Sequence, residues 1–148
     1  MFKHILIPTD GSEISAKAIT AAVAFAKETG ARVTGYYAME KTSGRVFGEG
    51  YQFPNARAAQ HFEKSVRAAG AKYVAQIGRA AHQAGVKFQS LLTRATTPYE
   101  GIVEAARKSG CDAIFMASHG RKGLARVALG SITNKVLTHS KLPVLVYR

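Results

Sequence analysis

The chain has one cysteine, no tryptophan, four prolines and nine acidic residues. The single thiol, Cys111, excludes an internal disulfide framework and any cysteine-based zinc cluster. No apolar run approaches the roughly 20 residues needed to span a bilayer. The start, Met1-Phe2-Lys3-His4-Ile5-Leu6-Ile7, has too short an apolar part for a signal peptide. It reads as a buried strand, and the expected compartment is the cytoplasm. Acids are scarcest toward the end. None follows Asp112, while Arg121, Lys122, Arg126, Lys135, Lys141 and Arg148 do.

Against nine acids stand 21 Lys and Arg, a net charge of +12. Residues 1–74 carry ten basic and six acidic groups; residues 75–148 carry eleven and three. Such a balance aids solubility and attracts polyanions in general. Its skew places a specific anion partner in the last quarter. No long Lys/Arg run marks a disordered nucleic-acid arm, and no aromatic-interleaved basic stripe marks a nucleic-acid reader. With 148 residues, 47% hydrophobic and 20% charged, the composition is that of one globular domain spanning 1–148.

Strand and helix patterns alternate along the chain. Phe2 to Pro8 is an apolar run suited to a central parallel strand. Thr9-Asp10-Gly11-Ser12 turns, and Ser12 caps a helix marked by Ile14, Ala18, Ala22, Phe25 and Ala26, closed by Gly30. Arg32 to Met39 is the second strand. Lys41 to Asn55, with Gly44, Gly48, Gly50 and Pro54, lacks a period and reads as a surface loop. Arg57 to Ala84 steps by three and four residues as one long amphipathic helix ended by Gly85. Val86 to Leu92 is the third strand. Thr97-Pro98-Tyr99-Glu100 spells a capping box with proline at the first helical position, opening a helix to Gly110. Asp112 to Ala117 is the fourth strand. Ser118 to Leu129 is a loop with room for a short helical piece, Ser131 caps the last helix, and Leu142 to Tyr147 is the fifth strand.

Five strands separated by four main helices predict a single doubly wound, Rossmann-like α/β domain with a parallel sheet. Ligands of such sheets lie beyond the carboxyl ends of the strands, where the strand order reverses. Two polar loops fall at such ends: Pro8-Thr9-Asp10, and Ser118-His119-Gly120. In the second, a glycine past a strand lets backbone N–H groups approach a ligand, and Gly130-Ser131 opens a helix whose dipole favours phosphate. Arg121 and Lys122 add charge. Two readings stand level on spacing alone, a phosphate site and an ordinary loop with glycine turns and a serine cap. Neither GxxxxGK[ST] nor GxGxxG is present.

The start Ile5-Leu6-Ile7-Pro8-Thr9-Asp10-Gly11-Ser12, the segment Met116 to Ile132 and the end Leu142-Pro143-Val144-Leu145-Val146 together resemble the universal stress proteins. The resemblance covers the whole chain. It implies a five-stranded parallel sheet of the adenine nucleotide alpha hydrolase-like type, a homodimer and a part in the stress response. One branch of the family binds ATP through G-x2-G-x9-G-[ST]. Gly120 and Gly130-Ser131 match its last three elements, and Ala117 replaces the first glycine. The resemblance implies that Pro8, Thr9 and Ala38 line an adenine pocket. Asp10 would lie by the ribose or the metal-bound phosphates. Met116 and Ala117 would sit at ribose and base, and Gly120, Arg121, Gly130, Ser131 and Ile132 around the phosphates.

His119 has no serine nucleophile beside it and reads as a loop histidine that bonds backbone or ligand. Asp10 can hold Mg²⁺ through phosphate oxygens, or bond its own turn. His4, His61, His82 and His139 lack ligand spacing. A receiver domain is excluded because Asp10 stands without an acidic cluster and Leu92-Thr93-Arg94 offers no phosphoacceptor. A flavodoxin-like FMN site is excluded by the short, acidic first loop. The expected function is a nucleotide-binding (ATP, with Mg²⁺) regulatory or sensor protein with slow or no hydrolysis. The alternative is a dimeric interaction module of the same fold, without nucleotide, serving an unknown regulatory partner. Pro143 near the start of an apolar last strand suits an edge that a second copy would cover. No membrane partner and no specific nucleic acid is expected.

Overall fold

The computed structural model describes residues 1–41, 53–120 and 129–148. The elements, in order, are β1 (His4–Pro8), α1 (Glu13–Thr29), β2 (Arg32–Glu40), α2 (Ala56–Ala84), β3 (Phe88–Ala95), α3 (Pro98–Lys108), β4 (Ala113–Ala117), α4 (Ser131–His139) and β5 (Val144–Tyr147). The sheet has the order β3-β2-β1-β4-β5, and every neighbouring pair is parallel. The expected α/β architecture is therefore the observed one. The chain winds outward from β1 through β2 to β3, then crosses to β4 and β5. The order reverses between β1 and β4.

Alternation along the strands divides the core into two layers. Ile5, Ile7, Val33, Ala113 and Phe115 pack with Ile19, Ala22, Val23 and Ala26 of α1 and Ile77 of α2. Leu6, Tyr36, Ile114 and Met116 pack on the other face with Ile102, Ala105 and Ala106 of α3 and Val136 of α4. β1 is covered on both sides, which is why it reads as one apolar run.

Several boundaries differ from the sequence reading, those of the third and last strands most informatively. Val86 belongs to the turn that closes α2, because its N–H bonds to Ala81 O across left-handed Gly85. The third strand therefore starts at Phe88 and continues to Ala95, where it pairs with Glu40. The last strand begins at Val144 rather than Leu142, since Leu142 N is held by Ser140 Oγ in a turn before Pro143. Thr97 sits at the N-cap of α3 with proline at the first turn, but its side chain closes no capping box. Its Oγ1 is buried without a partner. The helix start rests instead on the backbone bond from Gly101 N to Thr97 O. Of the loops, residues 42–52 and 121–128 lie outside the described residues, including the expected short helical piece.

At the amino ends of the strands, Asp112 joins β1 to β4 by accepting from Lys3 N at 2.8 Å and His4 N at 3.0 Å. Partial burial works against its charge, and the backbone donors outweigh that, holding its carboxyl below the usual range. The His4 ring is buried and shares a 2.7 Å hydrogen bond with Thr34 Oγ1. Burial lowers its affinity for a proton, and nearby Arg32 adds to that. Cys111 is a buried thiol pushed up to about 11, chiefly by loss of solvent. It takes no part in the chemistry of the opposite end.

Candidate functional site

β1 ends in proline, which has no N–H to extend the ladder, so the strand stops where the chain must turn. Thr9 N still reaches Tyr36 O at 3.0 Å. The turn is then built from its own side chains: Gly11 N bonds to Thr9 Oγ1 at 3.2 Å and Ser12 N to Asp10 Oδ1 at 2.9 Å. Ser15 Oγ donates to Thr9 Oγ1 at 3.0 Å, fixing the turn to the first turn of α1. Gly11 carries φ +77°, and the Tyr73 ring of α2 lies where its Cβ would stand. A side chain is excluded there twice, by backbone conformation and by space.

β4 ends facing this turn. Ser118 N bonds to Tyr147 O at 2.7 Å, and Ser118 O accepts from Gly130 N at 2.8 Å. Thr133 Oγ1 of α4 donates to Ala117 O at 3.0 Å. These bonds aim the start of α4 at the end of β4. Gly130, not Ser131, is the N-cap of α4, and having no side chain it leaves the first N–H groups of the helix uncapped. A Cβ at residue 130 would come within 2.9 Å of His119 Cα. At residue 120 a Cβ would overlap Asp10 Oδ2. At 130 the crowding is by backbone, which cannot yield; at 120 it is by the Asp10 carboxylate, which would have to move.

The two loops enclose a cleft of ≈ 410 Å³ at the switch point between β1 and β4. Of the residues expected at a site, Pro8, Thr9, Asp10, Ala38, Met116, Ala117, His119, Gly120, Gly130, Ser131 and Ile132 all line it. Arg121 and Lys122 lie outside the described residues. Sequence reasoning missed Ser15, Tyr36, Tyr37, Glu40, Pro98, Ile102 and Thr133, which line the same cleft. Thr133 had a usable signal, since it stands two residues beyond Ser131, already assigned to the site; Ser15 had a weaker one, five residues beyond Asp10. The tyrosines and Ile102 carried only core signals.

The cleft is chemically divided. Pro98, Ile102, Met116, Ala38 and the tyrosines make an apolar end able to sandwich a flat ring. The Tyr36 hydroxyl, raised by burial and bonded to Thr93 Oγ1 at 2.7 Å, stays neutral. The other end offers the uncapped N-terminus of α4, suited to an anion. Asp10 closes on Gly120 in the same lining, and a carboxylate so placed can share a cation with phosphate oxygens. His119 Nδ1 shares a 3.0 Å bond with Ser118 Oγ. Among the described residues no cluster of three or more His, Cys, Asp or Glu side chains could hold a metal unaided.

Ala117, the departure from the glycine motif, ends β4 in register with Tyr147. Among the described residues no side-chain-bearing residue has positive φ. A glycine is thus not required at 117 for conformation, and the alanine adds one methyl to the cleft wall.

Comparison with known proteins follows the same outline. The model of the universal stress protein family matches residues 1–148. The universal stress protein YxiE of Bacillus subtilis is 31% identical over 152 residues, covering 100% of both chains. Among solved structures, hypothetical protein MJ0577 of Methanocaldococcus jannaschii superposes with a TM-score of 0.79 at 29% identity, over 99% of this chain and 95% of its own. A universal stress protein in complex with cAMP has a TM-score of 0.69 at 21% identity, covering 99% and 97%. One from Archaeoglobus fulgidus in complex with dAMP has 0.60 at 16%, covering 100% and 98%. The last two likenesses are of fold.

Proposed function

Since the chain belongs to the universal stress protein family, we propose that its cleft binds an adenine nucleotide, ATP with Mg²⁺, as a regulatory or sensor module. The observation that carries the reading is the meeting of three features at one switch point: an apolar slot, an uncapped helix N-terminus and the Asp10 carboxylate. A volume of ≈ 410 Å³ falls in the range of small-molecule sites. Two proteins of the same fold were solved with adenine nucleotides, cAMP and dAMP. In this chain Ala38, Met116, Ile102 and Pro98 would hold the base, and Ala117 the ribose. Gly130, Ser131 and Ile132 would present N–H groups to phosphate, with Gly120 and Arg121 beside them. Asp10 would take Mg²⁺ with the phosphate oxygens. Bound Mg²⁺ supplies charge neutralisation between Asp10 and phosphate.

The reading includes a cytoplasmic homodimer through β5. The two sheet edges differ. β3 exposes Gln89, Ser90 and Arg94, polar residues that discourage pairing. β5 is Val-Leu-Val-Tyr and half-buried throughout, an apolar edge suited to a twofold partner.

Mass spectrometry of the protein as purified and ATP titration of wild type against Gly130→Glu test the nucleotide reading. Bound nucleotide, and binding lost in the variant, are expected. A ligand at 100 times its Kd raises stability by about 2.7 kcal/mol. No bound nucleotide, no thermal shift with Mg-ATP and no difference between the proteins would overturn it in favour of a nucleotide-free interaction module.

A further inference from the structure

α2 is 29 residues long, about 43 Å of helix. Its buried residues Gly70, Val74, Ile77 and Ala81 face the sheet. At 100° per residue, a solvent-side line about 145° round from that face runs through positions 57, 61, 64, 68, 72, 75, 79 and 82. These are Arg57, His61, Lys64, Ala68, Lys72, Ala75, Arg79 and His82, and all eight are exposed. Every residue on the line is basic, imidazole or alanine. Its four full cations follow at intervals of seven, eight and seven residues, about 11 Å apart. The single acid of α2, Glu63, lies off the line and is paired with Arg94. The linear sequence hides this row, because cations two turns apart never form a run.

The row lies outside the cleft, whose lining includes no residue of α2. It also lacks an apolar anchor. The large hydrophobic side chains exposed among the described residues are Met1, Leu129, Ile132 and Leu137, none of them on α2. An interfacial helix that enters a membrane needs an apolar face, and a protein interface needs buried anchors. What remains is a row of charge spaced regularly along one helix, with small residues between, matched by a polyanion of regular charge spacing. We propose that the solvent face of α2 binds the phosphate backbone of duplex nucleic acid, without reading its sequence. Arg57, Lys64, Lys72 and Arg79 make the contacts, and Ala68 and Ala75 permit close approach.

The test is fluorescence anisotropy of the full-length protein with a labelled duplex of about 24 base pairs, long enough to span the helix. With four phosphates neutralised, log K against log salt falls with a slope of about −3.6, roughly a 100-fold loss between 50 and 200 mM. The variant R57Q/K64Q/K72Q/R79Q keeps helix-forming side chains, so its circular dichroism should match wild type. It is expected to bind about tenfold or more weakly at low salt. A control, K3Q/K27Q/K108Q/K141Q, removes the same charge from other exposed positions and should stay within about threefold of wild type. Equal losses in the two variants would overturn the proposal, as would no duplex binding. Tighter binding to phosphatidylserine vesicles or to polyglutamate than to the duplex would also overturn it.

Discussion

The carboxylate of Asp10 fills the space that a Cβ on residue 120 would need, so the loops after β1 and β4 meet through an acid and a bare Cα. Alanine at 120 must push Asp10 aside and strain its 2.9 Å bond to Ser12 N. Gly120→Ala is expected to weaken Mg-ATP binding about tenfold or more, and to cost about 1 kcal/mol of stability. Calorimetric titration and urea denaturation read the two effects. Unchanged affinity would remove Asp10 from the site.

Ala117→Gly restores the family motif but should improve little. Residue 117 ends a strand without positive φ, so glycine brings no conformational relief. Affinity is expected to stay within about threefold, and stability to drop by about 0.5–1 kcal/mol from added chain freedom. A large gain in affinity would show that the methyl obstructs the ligand.

Gly11 and Tyr73 form a steric pair. Gly11→Ala costs about 1–2 kcal/mol for positive φ, plus the overlap with the ring. In a Tyr73→Ala background only the first cost should remain. A double-mutant cycle by denaturation measures the difference. Equal costs in both backgrounds would refute the packing described.

Acid should unfold this protein in two stages. His4 is buried with its proton affinity lowered. The unfolded state, titrating near the ordinary value of about 6.5, takes up a proton first. Stability is thus complete above that value and declines as pH falls toward the folded value. Asp112, whose pKa is depressed in the fold, adds a second loss as pH drops below about 4. Denaturation midpoints between pH 5 and 8 for wild type and His4→Gln test the first stage. The variant should lie lower and flatter, and identical slopes would contradict it.

Val146, on the last strand in register with Met116, tests the dimer. Val146→Lys should shift sedimentation from dimer to monomer at micromolar concentration while Mg-ATP binding remains. A wild-type protein that is monomeric there would dispose of the pairing.

The architecture was legible because each element carries its own signal: the bare apolar run of β1, the three-and-four spacing of α2, and glycine at positions 30 and 85. The cleft was legible through its loops, whose glycines and acid have few other uses. Tyr36, Tyr37 and Ile102 were not, since a cleft-lining apolar residue and a core residue look alike in a sequence. The capping box at Thr97 failed for a related reason. Its letters were right, but the hydroxyl is buried and bonds none of the backbone N–H groups it matches in spacing. Ends set by backbone turns, such as Val86 and Leu142, depend on bonds that no residue type announces.

Ser118 gives its N–H to the last residue of β5 and takes at its carbonyl the N–H of Gly130, the cap of α4. A single residue thus stands between the apolar edge and the α4 end of the cleft. Pairing through β5 and occupation of the cleft would then be linked equilibria, each changing the other by the same factor. Nucleotide affinity would vary with the concentration of the protein itself.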